Sequence, residues 1–269
     1  KAMEIINSGI RPGKLHSVVF DFDGTLSLIR KGWQEIMTPY FSEVLMDTPN
    51  SGSYEKEQAC AREFIDLLTG KQTIYQCIRL NEEVIKRGGR DVDPLIYKNE
   101  YHRRLLEKIE YRREGLDEET IQPVDYLVPG SEEVIEMLLE HGVDIYLASG
   151  TDEHYVKQEV ALLKLDEYFG DRVYGARDDY KLFSKAMVIK RIISENNLHG
   201  SSLAGFGDGY VEIENIKEVG GIAIGVATNE ETMTGIDEWK RGRLITAGAD
   251  VIIPDFTELS EIEYYLFGE

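Results

Sequence analysis

Positive charge is scarce in this chain: 30 lysines and arginines face 50 aspartates and glutamates, a formal net charge of −20 over 269 residues. Nucleic acids and anionic membranes are bound through an excess of Lys and Arg, so neither is expected as a partner. Cysteine is almost absent. Cys60 and Cys77 are the only two, without metal-ligand spacing, which excludes a disulfide scaffold or a zinc site and leaves reduced structural thiols. No apolar run approaches the ~20 residues of a membrane span, and the first residues lack the apolar centre of a signal peptide; a cytoplasmic protein is expected. The chain opens on Lys1 rather than Met, which points to trimming or to excision from a longer polypeptide. No internal repeat or low-complexity segment is present. With 42% hydrophobic residues the chain can bury a real core, and its length predicts two domains.

The stretch Ser17-Val-Val-Phe-Asp-Phe-Asp-Gly-Thr-Leu26 is the most informative. Val18, Val19 and Phe20 read as a buried strand, so Asp21 and Asp23 fall where that strand ends and the backbone turns at Gly24 and Thr25. Open α/β sheets place their ligands at such strand ends. Carboxylates at alternate positions can divide the work, one as nucleophile and the other as proton donor and acceptor. Asp-Gly between apolar runs also marks hairpins, so the case rests on what accompanies it.

Three further segments accompany it. Val143-Asp-Ile-Tyr-Leu-Ala148 is a short apolar run that stops at Ser149, Gly150 and Thr151; a hydroxyl followed by a glycine amide suits a phosphate oxygen. Ser201 to Phe206 leads into Gly207-Asp208-Gly209, with Glu212 and Glu214 beyond. Glycines let the backbone approach a bound ion, and the acids supply the hard oxygen ligands that Mg²⁺ prefers. Between these runs, Ser184 is a good N-cap for a helix from Lys185 to Asn197, whose apolar face is Val188, Ile189, Ile192 and Ile193. Lysine in a first helical turn opposes the macrodipole, and a nearby anion would compensate. Lys181 and Lys190 are alternatives to Lys185; the Ser184 cap and the spacing to Asp208 favour Lys185.

Taken in order, Asp21-Phe-Asp-Gly-Thr25, the apolar run ending in Ser149, Lys185, and Gly207-Asp-Gly-Tyr-Val-Glu212 resemble the four motifs of the haloacid dehalogenase superfamily. Gly221 to Val226, Ala249 to Asp255 and an apolar-acidic last helix resemble the end of that core. The resemblance covers about residues 15–28 and 124–267. It implies a doubly wound, parallel-sheet, Rossmann-like α/β core with an inserted α-helical cap domain. It also implies that Asp21 takes the phosphoryl group as an aspartyl-phosphate and that Asp23 protonates the leaving alcohol and then activates water. Mg²⁺ would be held by Asp21, the backbone carbonyl of Asp23, Asp208 and, directly or through water, Glu212, which stands where the family more often has Asp. Ser149, Gly150 and Lys185 would bind the phosphoryl oxygens.

The organisation follows from one interruption. Residues 15–28 and 124–269 alternate as a catalytic core should, residues 1–14 form an extension, and residues 29–123 read as a helical cap with helices over Glu55 to Leu68, Thr73 to Lys86 and Leu95 to Arg113. The insertion holds 15 basic and 18 acidic residues, much closer to neutrality than the core, which suits a lid that meets an anionic substrate. Arg30, Lys31, Trp33 and Lys71 are the candidate substrate residues. His154, close after Ser149, is taken as a helix-start residue or a substrate contact. The expected activity is hydrolysis of a small phosphorylated metabolite, most similar in layout to phosphoglycolate phosphatases. A mutase of the β-phosphoglucomutase type and a catalytically idle phosphate-binding regulatory module are the alternatives.

Overall fold

In a computed structural model, which describes residues 3–10, 12, 14–177, 179 and 184–268, the chain divides into two compact units. One comprises residues 1–31 and 112–269, the other residues 32–111. Residues 29–31 and 112–123 therefore belong with the unit that holds the sheet. The strands are β1 (Glu4–Ile5), β2 (Ser17–Phe20), β3 (Asp144–Asp152), β4 (Val173–Ala176), β5 (Leu203–Gly207), β6 (Ile222–Val226) and β7 (Val251–Ile253). The helices are α1 (Gln34–Met46), α2 (Tyr54–Leu68), α3 (Thr73–Lys86), α4 (Pro94–Asp117), α5 (Ser131–Glu140), α6 (Glu153–Leu162), α7 (Asp166–Phe169), α8 (Lys185–Glu195), α9 (Tyr210–Glu218), α10 (Glu238–Ala247) and α11 (Leu259–Phe267).

The seven strands lie in the order β1-β7-β6-β5-β2-β3-β4. All neighbours are parallel except β1, a two-residue edge that pairs antiparallel with β7. From β2 the chain builds outward first through β3 and β4, then on the other side through β5 to β7. The switch of direction therefore falls at β2, the position beyond whose carboxyl end open α/β sheets place their ligands. All four residues of β2 are buried, as a strand covered by helices on both faces requires. Alternation sends Val19 to one face, among Ile189, Ile192, Ile213, Ile216 and Leu244 from α8, α9 and α10. Phe20 goes to the other face, stacked on Phe206 at 5.0 Å between ring centroids and meeting Phe169 and Phe256 edge-on. Each such ring pair contributes roughly 0.5–1.5 kcal/mol beyond burial, and together they give the end of β2 a rigid floor.

The predicted β3 run ends at Ala148, but the strand continues to Asp152, and its register against β4 shifts between Ala148 and Asp152. Ser149 to Thr151 thus ride on an irregular strand end rather than in a free loop. β1, β4 and α1 have no counterpart in the sequence reading: β1 and β4 are too short for a periodicity, and α1 carries Pro39 within it. The helical unit packs α1, α2 and α3 around Phe41, Phe64, Ile65, Leu80 and Cys77, with Phe41 stacked on Phe64 at 5.9 Å. The predicted helices over 55–68, 73–86 and 95–113 are present as α2, α3 and α4. Cys60 and Cys77 are both free. Among the described residues, no helix is long and apolar enough to cross a membrane.

Candidate active site

The site grows from the turn that follows β2. The Asp21 N–H donates to the Phe206 carbonyl at 2.9 Å, continuing the pairing with β5, and the Phe22 carbonyl then accepts from Thr25, Leu26 and Ser27 at 2.9 to 3.1 Å. Three amides drawn onto one carbonyl curl the backbone tightly, and Gly24 takes the positive φ of 77° that the curl demands. A Cβ on Gly24 would lie 2.1 Å from Oδ2 of Asp208. Glycine is therefore what lets the loop after β2 press against the loop after β5. Gly207 plays the same part for Glu212, whose Cβ and Cγ would each lie 2.7 Å from an added Cβ.

Asp21, Asp23, Lys185, Asp208 and Glu212 converge here from the ends of β2 and β5 and the starts of α8 and α9. Asp21 Oδ1 accepts from the Phe22 N–H at 2.8 Å and lies 3.0 Å from Lys185 Nζ. Lys185 also lies 3.6 Å from Glu212 Oε2. Ser184 caps α8 by accepting from the Met187 N–H at 3.1 Å, which fixes where Lys185 leaves the helix. Burial raises the carboxyls of Asp21 and Glu212, offset in part by Lys185; Asp208 reinforces the rise of both, and Asp21 that of Glu212. Burial works against the charge of Lys185, but Asp21, Glu212 and Asp208 outweigh it and push its pKa up. Lys185 is a buried, fully charged cation among carboxylates. Of the competing lysines, Lys190 is exposed and Lys181 lies outside the described residues.

Asp23 is held separately. Thr151 Oγ1 donates to its Oδ2 at 2.8 Å, while Oδ1 is buried with no hydrogen-bond partner among the described residues. Burial pushes the Asp23 carboxyl up to about 6, against the pull of Arg30 and with the push of Glu159. Arg30 itself is buried and forks onto Glu159, with Nε and Nη2 at 2.9 and 2.8 Å from the two oxygens. Its charge is thus felt at Asp23, and its fork is directed into α6. Ser149 is buried, and its Oγ accepts from the Thr151 N–H at 3.1 Å; Gly150 lies between them. Lys31 stands over the Tyr126 ring at 5.4 Å. Trp33 and Lys71 belong to the helical unit, where Lys71 stands over Tyr75 at 5.8 Å. His154 is exposed and packs on Tyr155 at 3.9 Å.

Among the described residues, no three His, Cys, Asp or Glu side chains converge closely enough to hold a metal ion as they stand. The chemistry of the donors nevertheless suits a hard cation. Both oxygens of Glu212 are buried without a hydrogen-bond partner among the described residues, Asp208 lies near enough to raise Asp21, and both lie near enough to raise Glu212.

Three residues that the sequence did not single out complete the site. Thr25 Oγ1 accepts from the Asp208 N–H at 3.1 Å and donates to Asp208 Oδ1 at 3.3 Å. Lys240 Nζ meets the other oxygen of Asp208, Oδ2, at 3.3 Å, and Glu230 in turn meets Lys240.

A family model for haloacid dehalogenase-like hydrolases matches residues 15–220, a span that takes in all of these groups up to Glu212. The chain belongs to the haloacid dehalogenase-like hydrolases. No curated protein matches the chain significantly. Among solved structures, the chain is similar to a predicted phosphoglycolate phosphatase from Haemophilus somnus, with 15% identity over 93% of this chain and 98% of that one and a TM-score of 0.60. It is also similar to a predicted phosphatase from Clostridium acetobutylicum, with 19% identity, coverage of 93% and 98%, and a TM-score of 0.59. A family IA hydrolase of Entamoeba histolytica shares 20% identity over 94% and 98% of the two chains, with a TM-score of 0.60. At these identities the likeness is one of fold alone, a Rossmann-like core; membership of the family rests on the model matched over residues 15–220.

Proposed function

We propose that this hydrolase is a Mg²⁺-dependent phosphatase that cleaves a small phosphorylated metabolite, of the kind phosphoglycolate phosphatases act on, through an aspartyl-phosphate on Asp21. The observation that carries the proposal is the buried contact of Asp21 with Lys185 at 3.0 Å, beside an independently held second carboxyl, Asp23. A dianionic phosphate repels an anionic nucleophile, and a fixed ammonium beside that nucleophile relieves the repulsion where the transition state forms.

In the first half-reaction a carboxylate oxygen of Asp21 attacks phosphorus while the bond from phosphorus to the substrate oxygen breaks. Asp23 gives that oxygen its proton, and the alcohol leaves. In the second half-reaction Asp23, now a carboxylate, takes a proton from water as the water oxygen attacks phosphorus. The bond to Asp21 breaks, and inorganic phosphate and free Asp21 result. Thr151 engages one oxygen of Asp23 and leaves the other for the travelling proton. Lys185, the Ser149 hydroxyl and the Gly150 amide receive the phosphoryl oxygens. Asp21, the Asp23 carbonyl, Asp208 and, directly or through water, Glu212 would hold Mg²⁺, whose charge would neutralise the phosphoryl oxygens when bound. Lys31, Trp33 and Lys71 are assigned to substrate choice, and Arg30 is assigned to it through its effect on Asp23.

A panel of phosphate monoesters, p-nitrophenyl phosphate included, tests this reading. Inorganic phosphate is expected with Mg²⁺, falling by about 100-fold or more with EDTA and returning when Mg²⁺ is restored. Absence of turnover across the panel would leave a phosphate-binding module, and isomerisation of a sugar phosphate without phosphate release would indicate a mutase. Lys185→Ala is expected to lower kcat/KM by about 10²- to 10³-fold, the range for loss of one oxyanion-stabilising group. Lys190→Ala, on the exposed side of α8, is expected to stay near wild type, and the reverse ranking in the same assay would move the phosphate site.

A further inference from the structure

Asp208 is addressed from two sides. Thr25 occupies one oxygen, and Lys240 Nζ lies 3.3 Å from the other, Oδ2. Lys240 is drawn into this position by a second acid, Glu230, whose Oε2 is also 3.3 Å from Nζ. Both elements that carry this pair are firmly anchored. Asp237 caps α10 by accepting from the N–H groups of Trp239 and Lys240 at 3.0 and 3.1 Å, so the backbone at Lys240 is fixed. Glu230 sits in the connection after β6, which is closed by the Asp237 N–H to Ala227 carbonyl bond at 2.9 Å. That connection is pinned to the next strand end by Thr228 Oγ1 donating to the Pro254 carbonyl. Lys240 is only 7% exposed. Its ammonium stands between two carboxylates, Asp208 and Glu230.

We infer that Lys240 is a positioning residue for Asp208: braced by Glu230, its ammonium engages one carboxylate oxygen and sets how tightly the site takes up a divalent cation. The inference rests on the proposed role of Asp208 as a metal ligand. An ammonium fixed within hydrogen-bonding range of a metal-binding carboxylate stands a few ångströms from the cation as well. There it repels the cation, and the repulsion is only partly screened because Lys240 is buried and Asp208 half-buried. Its removal therefore strengthens cation binding. Glu230 acts in the opposite sense, because it shares the ammonium with Asp208 and adds a negative charge of its own.

Isothermal titration of the substrate-free chain with Mg²⁺, checked by Mn²⁺ paramagnetic resonance, reads this directly and independently of turnover. Lys240→Met is expected to bind Mg²⁺ about tenfold or more tightly than wild type, Lys240→Arg to stay within about threefold, and Glu230→Gln to bind several-fold more weakly. Should Lys240→Met fail to fold, Glu230→Gln decides: unchanged or tighter binding overturns the inference. Weaker or unchanged binding in a folded Lys240→Met overturns it as well, with the metal site itself intact. A wild-type chain that binds neither cation brings down the metal reading and this inference together.

Discussion

Asp21→Asn is expected to lose at least about 10⁴-fold in kcat with every phosphate monoester while keeping its fold. The loss is large because a neutral amide is a poor nucleophile, and groups that act as one unit fail together when one is removed. The fold survives for reasons visible around the side chain. An Asn oxygen can still accept from the Phe22 N–H, as Asp21 Oδ1 does at 2.8 Å. Lys185 keeps Glu212 at 3.6 Å and so is not left as a lone buried charge. One negative charge also leaves a crowded acidic site, which relieves the repulsion that helps to raise Glu212. Turnover and thermal unfolding measured on the same preparation check the pairing of outcomes. Substantial activity in a folded Asp21→Asn would remove Asp21 from the nucleophile role, and an unfolded variant would show that its main contribution is structural.

The parts of the fold that local chemistry dictates were legible from sequence. β2 is an unbroken apolar run because helices cover both of its faces, and β5 and β6 are legible for the same reason. Ser184 marks the start of α8 because a capping hydroxyl satisfies an amide that the helix itself leaves open. The parts that depend on distant pairing were not legible. β1 exists only because two residues reach the edge of β7. The bulge in β3 arises from its changing register against β4, which no pattern within Val143 to Thr151 encodes.

The site divides in the same way. Asp21, Asp23, Ser149, Lys185 and Asp208 stand next to strand ends or helix starts, so their positions carry a local signature. Arg30 is basic and close in sequence to the nucleophile, which suggested a substrate contact, but its partner Glu159 lies 129 residues away. Lys240 sits in the charged stretch Glu238-Trp-Lys-Arg-Gly-Arg243, which no strand-end motif marks. Only the packing of α10 on α9, β6 and β7 turns this lysine inward, and only its two partners, Asp208 and Glu230, make its burial tolerable. Thr25 has a weak signal in retrospect: a hydroxyl inside a glycine-bearing turn that must satisfy the neighbouring loop.

Asp23→Ala is expected to separate substrates by leaving group. For alkyl phosphates, whose alcohols leave poorly without a proton, the loss should reach about 10²- to 10⁴-fold, the usual contribution of a positioned general acid. For p-nitrophenyl phosphate, whose phenolate leaves unaided, formation of the phosphoenzyme should be much less affected, and the remaining defect should fall on the attack of water. Burial makes this division effective, since a carboxyl raised to about 6 retains a proton near neutrality more often than an ordinary aspartate and still gives it up readily. Thr151, donating to Oδ2 at 2.8 Å, favours the carboxylate and holds the group in one orientation, so the proton is directed to the unpartnered Oδ1. The measurement is a Brønsted series of single-turnover phosphorylation rates against leaving-group pKa. A steeper slope in Asp23→Ala than in wild type supports the acid role. Parallel lines, with an equal loss at every leaving group, would instead make Asp23 a support for the turn after β2, with the proton coming from elsewhere.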